Sequence, residues 1–507
     1  MDFILSHILT LMTFIPLIGM VPVALIPSRY PQYIKYLSVG ISAVVFLLSL
    51  LMYAYFDRES TQLQFVEHYV WIRAFNIEYF MGVDGLNVSL VILTALISLI
   101  ACIASLGIEK KVKGYFAMFL LLMTGMMGTF VALDLFLFYI FWEVMLLPMY
   151  FLIGIWGGPR KEYAAIKFFL YTLFGSVLML IGIIALYYNS EPTTLVDGTS
   201  ASHTFNIMKL TFENNFSNKA PLLGISFAKF VFVLFFIGFA IKIPMFPFHT
   251  WLPDAHVEAP TPISVILAGI LLKMGIYGIL RVNYQILPEA TLWSAPVVAI
   301  FGVINIVYAA FVCMAQEDLK KLIAYSSVSH MGFSLLAMSS FSEAGISGAV
   351  LQLFTHGVIS PMLFLIAGVI YDRAHHREIN KFGGLANIMP EYSAFTGLAF
   401  MASLGLPGLA GFVAEALCFI GAFSTYKLMT VIAATSVVIT AAYYLWTMQR
   451  VFLGPINPRY LGYKDLNLRE RFTLYPLALI IVVLGVYPML ILDIINPTIF
   501  QLIHSIR

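Results

Sequence analysis

Apolar residues run along this chain in blocks of about twenty, separated by short polar stretches. A helix that crosses a bilayer needs about 20 mostly apolar residues. Windows of that length predict helices at roughly 3–26, 33–56, 86–107, 115–133, 135–156, 163–187, 227–256, 261–281, 293–314, 321–340, 346–371, 393–424, 429–451 and 472–495. The windows at 227–256 and 393–424 are each interrupted by proline or glycine. The pattern predicts an all-α polytopic membrane protein with about 14 transmembrane helices. The first block has no basic stretch ahead of it and is long enough to span, so it reads as a first helix rather than a cleaved signal. The longest extramembrane stretches, about 57–85 and 188–226, are too short for a separate globular domain, and any soluble partner must be another chain.

Composition agrees with that pattern. The 507 residues are 61% hydrophobic and 11% charged, where a soluble domain carries about 25% charged residues. A net charge of +2 gives no nucleic-acid footprint. Cations are unevenly placed: eighteen of the 28 lysines and arginines fall in the odd-numbered loops and eight in the even-numbered loops and tail, Arg281 and Arg507 among the eight. The excess of Lys and Arg marks the cytoplasmic side. Odd loops are therefore expected inside and both termini outside.

The two interruptions are five helices apart. One is Lys242-Ile-Pro-Met-Phe-Pro247, and the other is Gly405-Leu-Pro-Gly-Leu-Ala-Gly411. Two units of five helices have opposite orientations, because five is odd, as in the inverted repeats of secondary transporters. The expected division is 1–110 for the first three helices, 111–285 for the first repeat with broken helix 7, 286–455 for the second repeat with broken helix 12, and 456–507 for the last helix.

Ionisable residues inside apolar runs are costly and therefore point to function. Glu143 lies near mid-membrane on the fifth helix. A lone carboxylate there would hold a proton, while a cation partner would keep it ionised, and Lys242 is the obvious candidate. The bland reading is a structural ion pair, although buried pairs stabilise poorly. Lys242 stands where the seventh helix breaks. Moving Glu143 toward or away from it would load or unload a proton; snorkelling to water is the alternative. Lys273 is the tenth residue of a seventeen-residue stretch from Ser264 to Leu280, about 10–14 Å from either end at 1.5 Å per residue. Glu415 follows the second break, as the far end of a proton path or as a favourable charge in a helix's first turn.

His249, His256, His330 and His356 can relay protons between such groups or simply fill the core. Ser326, Ser327, Ser329, Thr355 and Tyr325 are candidate water holders beside them, and Asp134 sits at a helix boundary. Cys102, Cys313 and Cys418 lie in apolar surroundings without metal-ligand spacing and read as core residues. With no glycine-rich nucleotide loop and no CxxC pair, the chain is expected to hold no redox cofactor or metal of its own.

Four stretches carry a family resemblance: LDLFLFYIFWEVMLLPMYFLIGIWG, FAIKIPMFPFHTWLPDAHVEAPTPISVILAGILLKMGIYGILR, EDLKKLIAYSSVSHMGFSLL and LPGLAGFVAE. With them the chain resembles, over nearly its whole length, the antiporter-like membrane subunits of respiratory complex I. The resemblance implies that Glu143 and Lys242 are the family's pair, Lys273 its central lysine, His330 and His356 its relay histidines, and Glu415 its terminal acid. It implies proton translocation driven by NADH oxidation and quinone reduction, with NADH, FMN, iron–sulfur clusters and quinone held by partner subunits. Neighbouring antiporter-like subunits of the membrane arm are the implied partners. Siblings usually carry lysine at the position of Glu415, and the longest sibling continues into a lateral helix, so one particular shorter member is favoured. The stretch from Pro260 to Gly269 lacks the acidic residue that some members place early on the eighth helix. A multisubunit cation/proton antiporter, or a hydrogenase- or ferredoxin-linked complex, is the alternative setting.

Overall fold

The computed structural model describes residues 2–222 and 224–506. Arg507, counted above among the tail cations, lies outside the described residues. In chain order the elements are α1 (Ile8–Leu25), α2 (Pro31–Tyr55), the strands β1 (Gln64–Ile72) and β2 (Ile77–Val83), α3 (Val88–Ala104), α4 (Val112–Val131), α5 (Leu135–Trp156), α6 (Lys161–Asn189), α7 (Phe227–Lys242), α8 (Trp251–Glu258) and α9 (Thr261–Tyr284). They continue with α10 (Pro288–Met314), α11 (Leu319–Met338), α12 (Glu343–Ala374), α13 (Pro390–Ser403), α14 (Ala410–Thr425), α15 (Lys427–Phe452), α16 (Leu468–Val486) and α17 (Met489–Ile506). Among the described residues, eleven helices are long and apolar enough to cross a membrane. The remaining windows hold α7 with α8, α11, α13 with α14, and α16, which are broken, shorter or richer in polar residues. In lipid every backbone N–H and C=O must be satisfied internally, and the helix does so within each segment.

α9 and α12 form the centre and are buried along their whole central stretches. Glycine lets them meet: a Cβ on Gly357 would lie 2.4 Å from a Leu93 methyl carbon on α3 and 3.1 Å from the Gly269 carbonyl oxygen on α9. The outer helices α2, α6 and α15 instead expose large apolar side chains such as Leu47, Phe174 and Val438.

Loop contacts sort the chain into two faces. On one, Lys113 Nζ donates to the Ala24 carbonyl, the Trp156 indole to Lys110, Lys320 Nζ to Ala259, and Arg373 forms an ion pair with Glu470. On the other, Arg73 pairs with Asp197, the Asn206 amide donates to Glu78, and the Gly85 N–H donates to Thr498. The odd-numbered loops thus touch one another, and so do the even-numbered loops and the tail.

Two features are not marked by the apolar windows. The stretch 57–85 folds into the antiparallel hairpin β1–β2. The window 472–495 crosses a break, because α16 ends at Val486, Pro488 cannot continue the helix, and α17 starts at Met489. α17 buries Ile491, Ile495, Ile499 and Leu502 and leaves Asp493, Gln501 and His504 exposed.

Candidate functional site

The first helix break is held by side chains. Ile243 to Pro247 leave the helical path after Lys242, freeing backbone groups at membrane depth. The Trp251 indole N–H donates to the Ile241 carbonyl at 2.9 Å, and the Phe246 N–H donates to Asn305 Oδ1 at 2.8 Å. Lys242 is buried, with its ammonium 5.2 Å from the ring centre of Trp142 and 5.8 Å from that of Phe168. Such placement over aromatic faces attracts a cation. Glu143, next to Trp142 on α5, keeps its buried Oε1 without a hydrogen-bond partner and forms no ion pair with Lys242. It is the carboxylate nearest in sequence to Trp142, whose ring faces the Lys242 ammonium. The expected pair therefore faces itself here without closing.

A line of polar side chains runs from the middle of α9 to the second break. Around Ala268 the helix widens into π turns over Leu267–Leu271, which offer carbonyls to a side chain. Lys273 Nζ donates to the Ala268 carbonyl and lies 2.7 Å from His356 Nδ1 on α12. The rings of His356 and His330 have centres 5.6 Å apart. On α11, His330 Nδ1 faces the Ser326 carbonyl at 2.6 Å, and Nε2 faces the Ser403 carbonyl at 2.9 Å and Glu415 Oε1 at 3.4 Å. Carbonyl oxygens only accept, so both ring nitrogens are satisfied together only when both carry hydrogen. That form is the imidazolium, whose counter-charge is Glu415.

The second break supplies the rest of this environment. Ser403 is the last residue of α13, and its carbonyl is left over where the helix ends. Gly405 takes φ +81°, and a Cβ there would stand 2.8 Å from Glu415 Oε2, so the carboxylate packs directly on the glycine. The Tyr444 hydroxyl bridges Ser403 Oγ at 2.8 Å and Ser326 Oγ at 3.0 Å.

The structure thus joins Lys273, His356, His330 and Glu415, and places Glu143 opposite Lys242. His249 stands apart in an aromatic pocket of Phe246, Tyr308 and Tyr325, with neither ring nitrogen hydrogen-bonded. His256 is buried and stacked flat on Phe364, 4.2 Å between ring centres, also without a polar partner. Of the candidate water holders, Ser326 alone joins the line. Asp134 is a buried helix cap that accepts from the Phe136 and Leu137 N–H groups.

Sequence reading missed several groups. Lys320, counted as a loop cation, is buried beside a cavity of about 280 Å³ on the odd-loop face, lined also by Glu258, Asp372, Arg377 and Arg469. Arg281, likewise counted with the loops, is buried and bonded bidentately to Asp84. Its place eight residues after Lys273, at the end of the same apolar run, was the available signal. Asn305 and the Ser403 carbonyl carried none.

The sequence profile of the NADH:quinone oxidoreductase/Mrp antiporter membrane family matches residues 132–440, which hold every candidate residue from Glu143 to Glu415. NADH-quinone oxidoreductase subunit M of Rickettsia conorii is 41% identical over 503 residues, covering 98% of both chains. The chain belongs to the NADH:quinone oxidoreductase/Mrp antiporter membrane family. Another member, NADH-quinone oxidoreductase subunit M of Rhodobacter capsulatus, is 41% identical over 506 residues, covering 99% of this chain and 97% of the relative. A chain of respiratory complex I from Thermus thermophilus superposes with a TM-score of 0.87 at 27% identity, covering 98% of this chain and all of that one. For this member of the family, the two broken helices and the line between them are the features to be explained.

Proposed function

We propose that this chain is a proton-translocating, antiporter-like subunit of a bacterial NADH:quinone oxidoreductase, working in the position that subunit M holds in its relatives. The observation that carries the reading is the line Lys273–His356–His330–Glu415 between two helix breaks. Oxidation of NADH and reduction of quinone, with FMN and iron–sulfur clusters, belong to partner subunits, and the neighbours in the membrane are other antiporter-like subunits. Fourteen crossings put both termini on the outer side, and 111–285 and 286–455 act as two inverted units. The two-faced sorting of the loops supports that arrangement.

In this mechanism protons arrive from the cytoplasmic side, where the charged cavity near Lys320 opens, and load Lys273. Glu143 and Lys242 stand apart in the present geometry, which leaves the Lys242 charge only partly offset and favours loss of the proton from Lys273. His356 Nδ1 is positioned to take it. His330, already an imidazolium, first gives a proton to Glu415, from which it leaves outward, and is then reprotonated from His356. Closing the Glu143–Lys242 pair removes that push and lets Lys273 reload. Moving one charge against 100 mV costs about 2.3 kcal/mol. Two charges brought to 4 Å at an effective dielectric of 20 interact by about 4 kcal/mol, which is enough.

Affinity purification of this chain in mild detergent, followed by mass spectrometry, tests the setting. Flavin and iron–sulfur subunits that oxidise NADH support the proposal. A set of small membrane subunits without redox centres contradicts it and makes the chain part of an ion-gradient-driven antiporter.

A further inference from the structure

Outward of Lys273, α9 continues as a buried polar column toward the even-loop face. Tyr277 lies one turn on, Arg281 two turns on, and Asp84 meets them from the turn that precedes α3. At 1.5 Å per residue, Lys273 and Arg281 are about 12 Å apart along the helix. A lysine, a phenol and a carboxylate in series, all buried, would make a direct wire to the even-loop side. Such a wire would short-circuit the sideways path through His356.

Arg281 interrupts it. Nη1 donates to Asp84 Oδ2 and Nη2 to Oδ1, both at 2.7 Å, and Nε donates to the Tyr277 hydroxyl at 3.3 Å. The Tyr277 hydroxyl spends its own hydrogen on the Phe130 carbonyl at 2.9 Å. Asp84 Oδ1 also accepts the Leu86 N–H at 2.9 Å. A guanidinium has five donors, no acceptor and no accessible neutral form, so it cannot pass a proton on. Its fixed charge also repels an approaching proton, as an arginine does in pores that exclude protons. A buried ion pair stabilises no better than an apolar filling of the same volume, so its presence calls for another reason.

We infer that Arg281, held by Asp84 and Tyr277, is the cationic barrier that closes the even-loop side of Lys273 to protons and leaves His356 as the proton's way out. Arg281 is a positioning residue: it carries no transported proton, but it decides the direction in which Lys273 discharges. The inference rests on Lys273 carrying transported protons.

The test uses the whole complex in proteoliposomes without NADH. A potassium diffusion potential is imposed with valinomycin, and passive proton flux is followed with a trapped pH dye. Arg281→Gln, which keeps Asp84 as the carboxylate of the wire, is expected to raise that flux at least fivefold over the unaltered complex. Adding Lys273→Met should return it to baseline. An Arg281→Gln complex that assembles and stays tight overturns the barrier, and so does a leak that persists without Lys273. If Arg281→Gln does not assemble, Arg281→His takes its place and is read in the same way. Active pumping that survives Lys273→Met would instead overturn the proton-translocation reading, so the two failures are distinguishable.

Discussion

His330 Nε2 stands 3.4 Å from Glu415 Oε1 and 2.9 Å from the carbonyl left over at the end of α13, so the second helix break and the relay histidine form one unit. The break is what allows an imidazolium and a carboxylate to coexist in an apolar bundle, because it provides a free backbone acceptor beside them. Glu415→Gln keeps the shape and removes the charge that balances His330. Loss of a positioned proton acceptor typically costs 10²–10⁴-fold in the step it serves. Outward proton release through this chain is expected to fall at least about tenfold, measured as dye-reported acidification in proteoliposomes at equal complex content.

Gly405 holds the carboxylate in place by having no side chain. Gly405→Ala would force an alanine to φ +81° and put its Cβ 2.8 Å from Glu415 Oε2. The left-handed conformation alone costs about 1–2 kcal/mol. The variant should assemble, melt at a lower temperature and pump more slowly. Unchanged pumping would show that the position of Glu415 is not held by the break.

Asn305 satisfies the backbone at the first break. In Asn305→Leu the Phe246 N–H loses its acceptor. An unsatisfied buried donor costs about 1–3 kcal/mol. The expected result is a lower melting temperature together with faster proteolysis near Lys242–Pro247. A variant as stable and as resistant as the parent would mean that the break finds another acceptor.

On the even-loop face, burial pushes the Glu78 carboxyl up, but the neighbouring His68 imidazole and hydrogen bonds from the Asn206 amide and the Val196 N–H outweigh it and hold the group down at about 2. His68 Nε2 lies 3.0 Å from Oε1, and the Asn206 amide donates to Oε2 at 2.8 Å. A carboxyl held below its ordinary value of 4.5 contributes stability that is complete above about pH 4.5 and lost as pH falls toward about 2. Hydrogen-exchange protection of the β1–β2 hairpin, corrected for intrinsic exchange, should therefore be steady from pH 7 to 5 and drop by pH 3. Equal protection at pH 5 and pH 3 would show that this carboxylate does not clamp the hairpin.

Much of this was legible in the sequence, and the physics says which parts. An ionisable side chain in an apolar run stands out by itself, so Glu143, Lys242, Lys273 and Glu415 were visible, and twenty-residue windows located the helical stretches. Backbone acceptors such as the Ser403 carbonyl have no letter of their own. Arg281, Lys320 and Lys35 lie near the ends of apolar windows and read as loop cations, although all three are buried; Lys35 Nζ donates to the Leu106 carbonyl at 2.8 Å. The turn at Pro488 vanished because apolar residues continue on both sides of it. His249 and His330 look alike as letters, and only packing separates a histidine in an aromatic pocket from one lying between carbonyls and a carboxylate.

The most direct measurement concerns the gap between Glu143 and Lys242, because every later transfer depends on that pair opening and closing. Glu143→Gln keeps size and removes the charge that acts on Lys242. In complex assembled to normal levels and reconstituted in proteoliposomes, the number of protons moved per NADH oxidised should fall clearly below that of the parent. Normal pumping with normal assembly would contradict the role assigned to the pair, and with it the means by which charge drives Lys273.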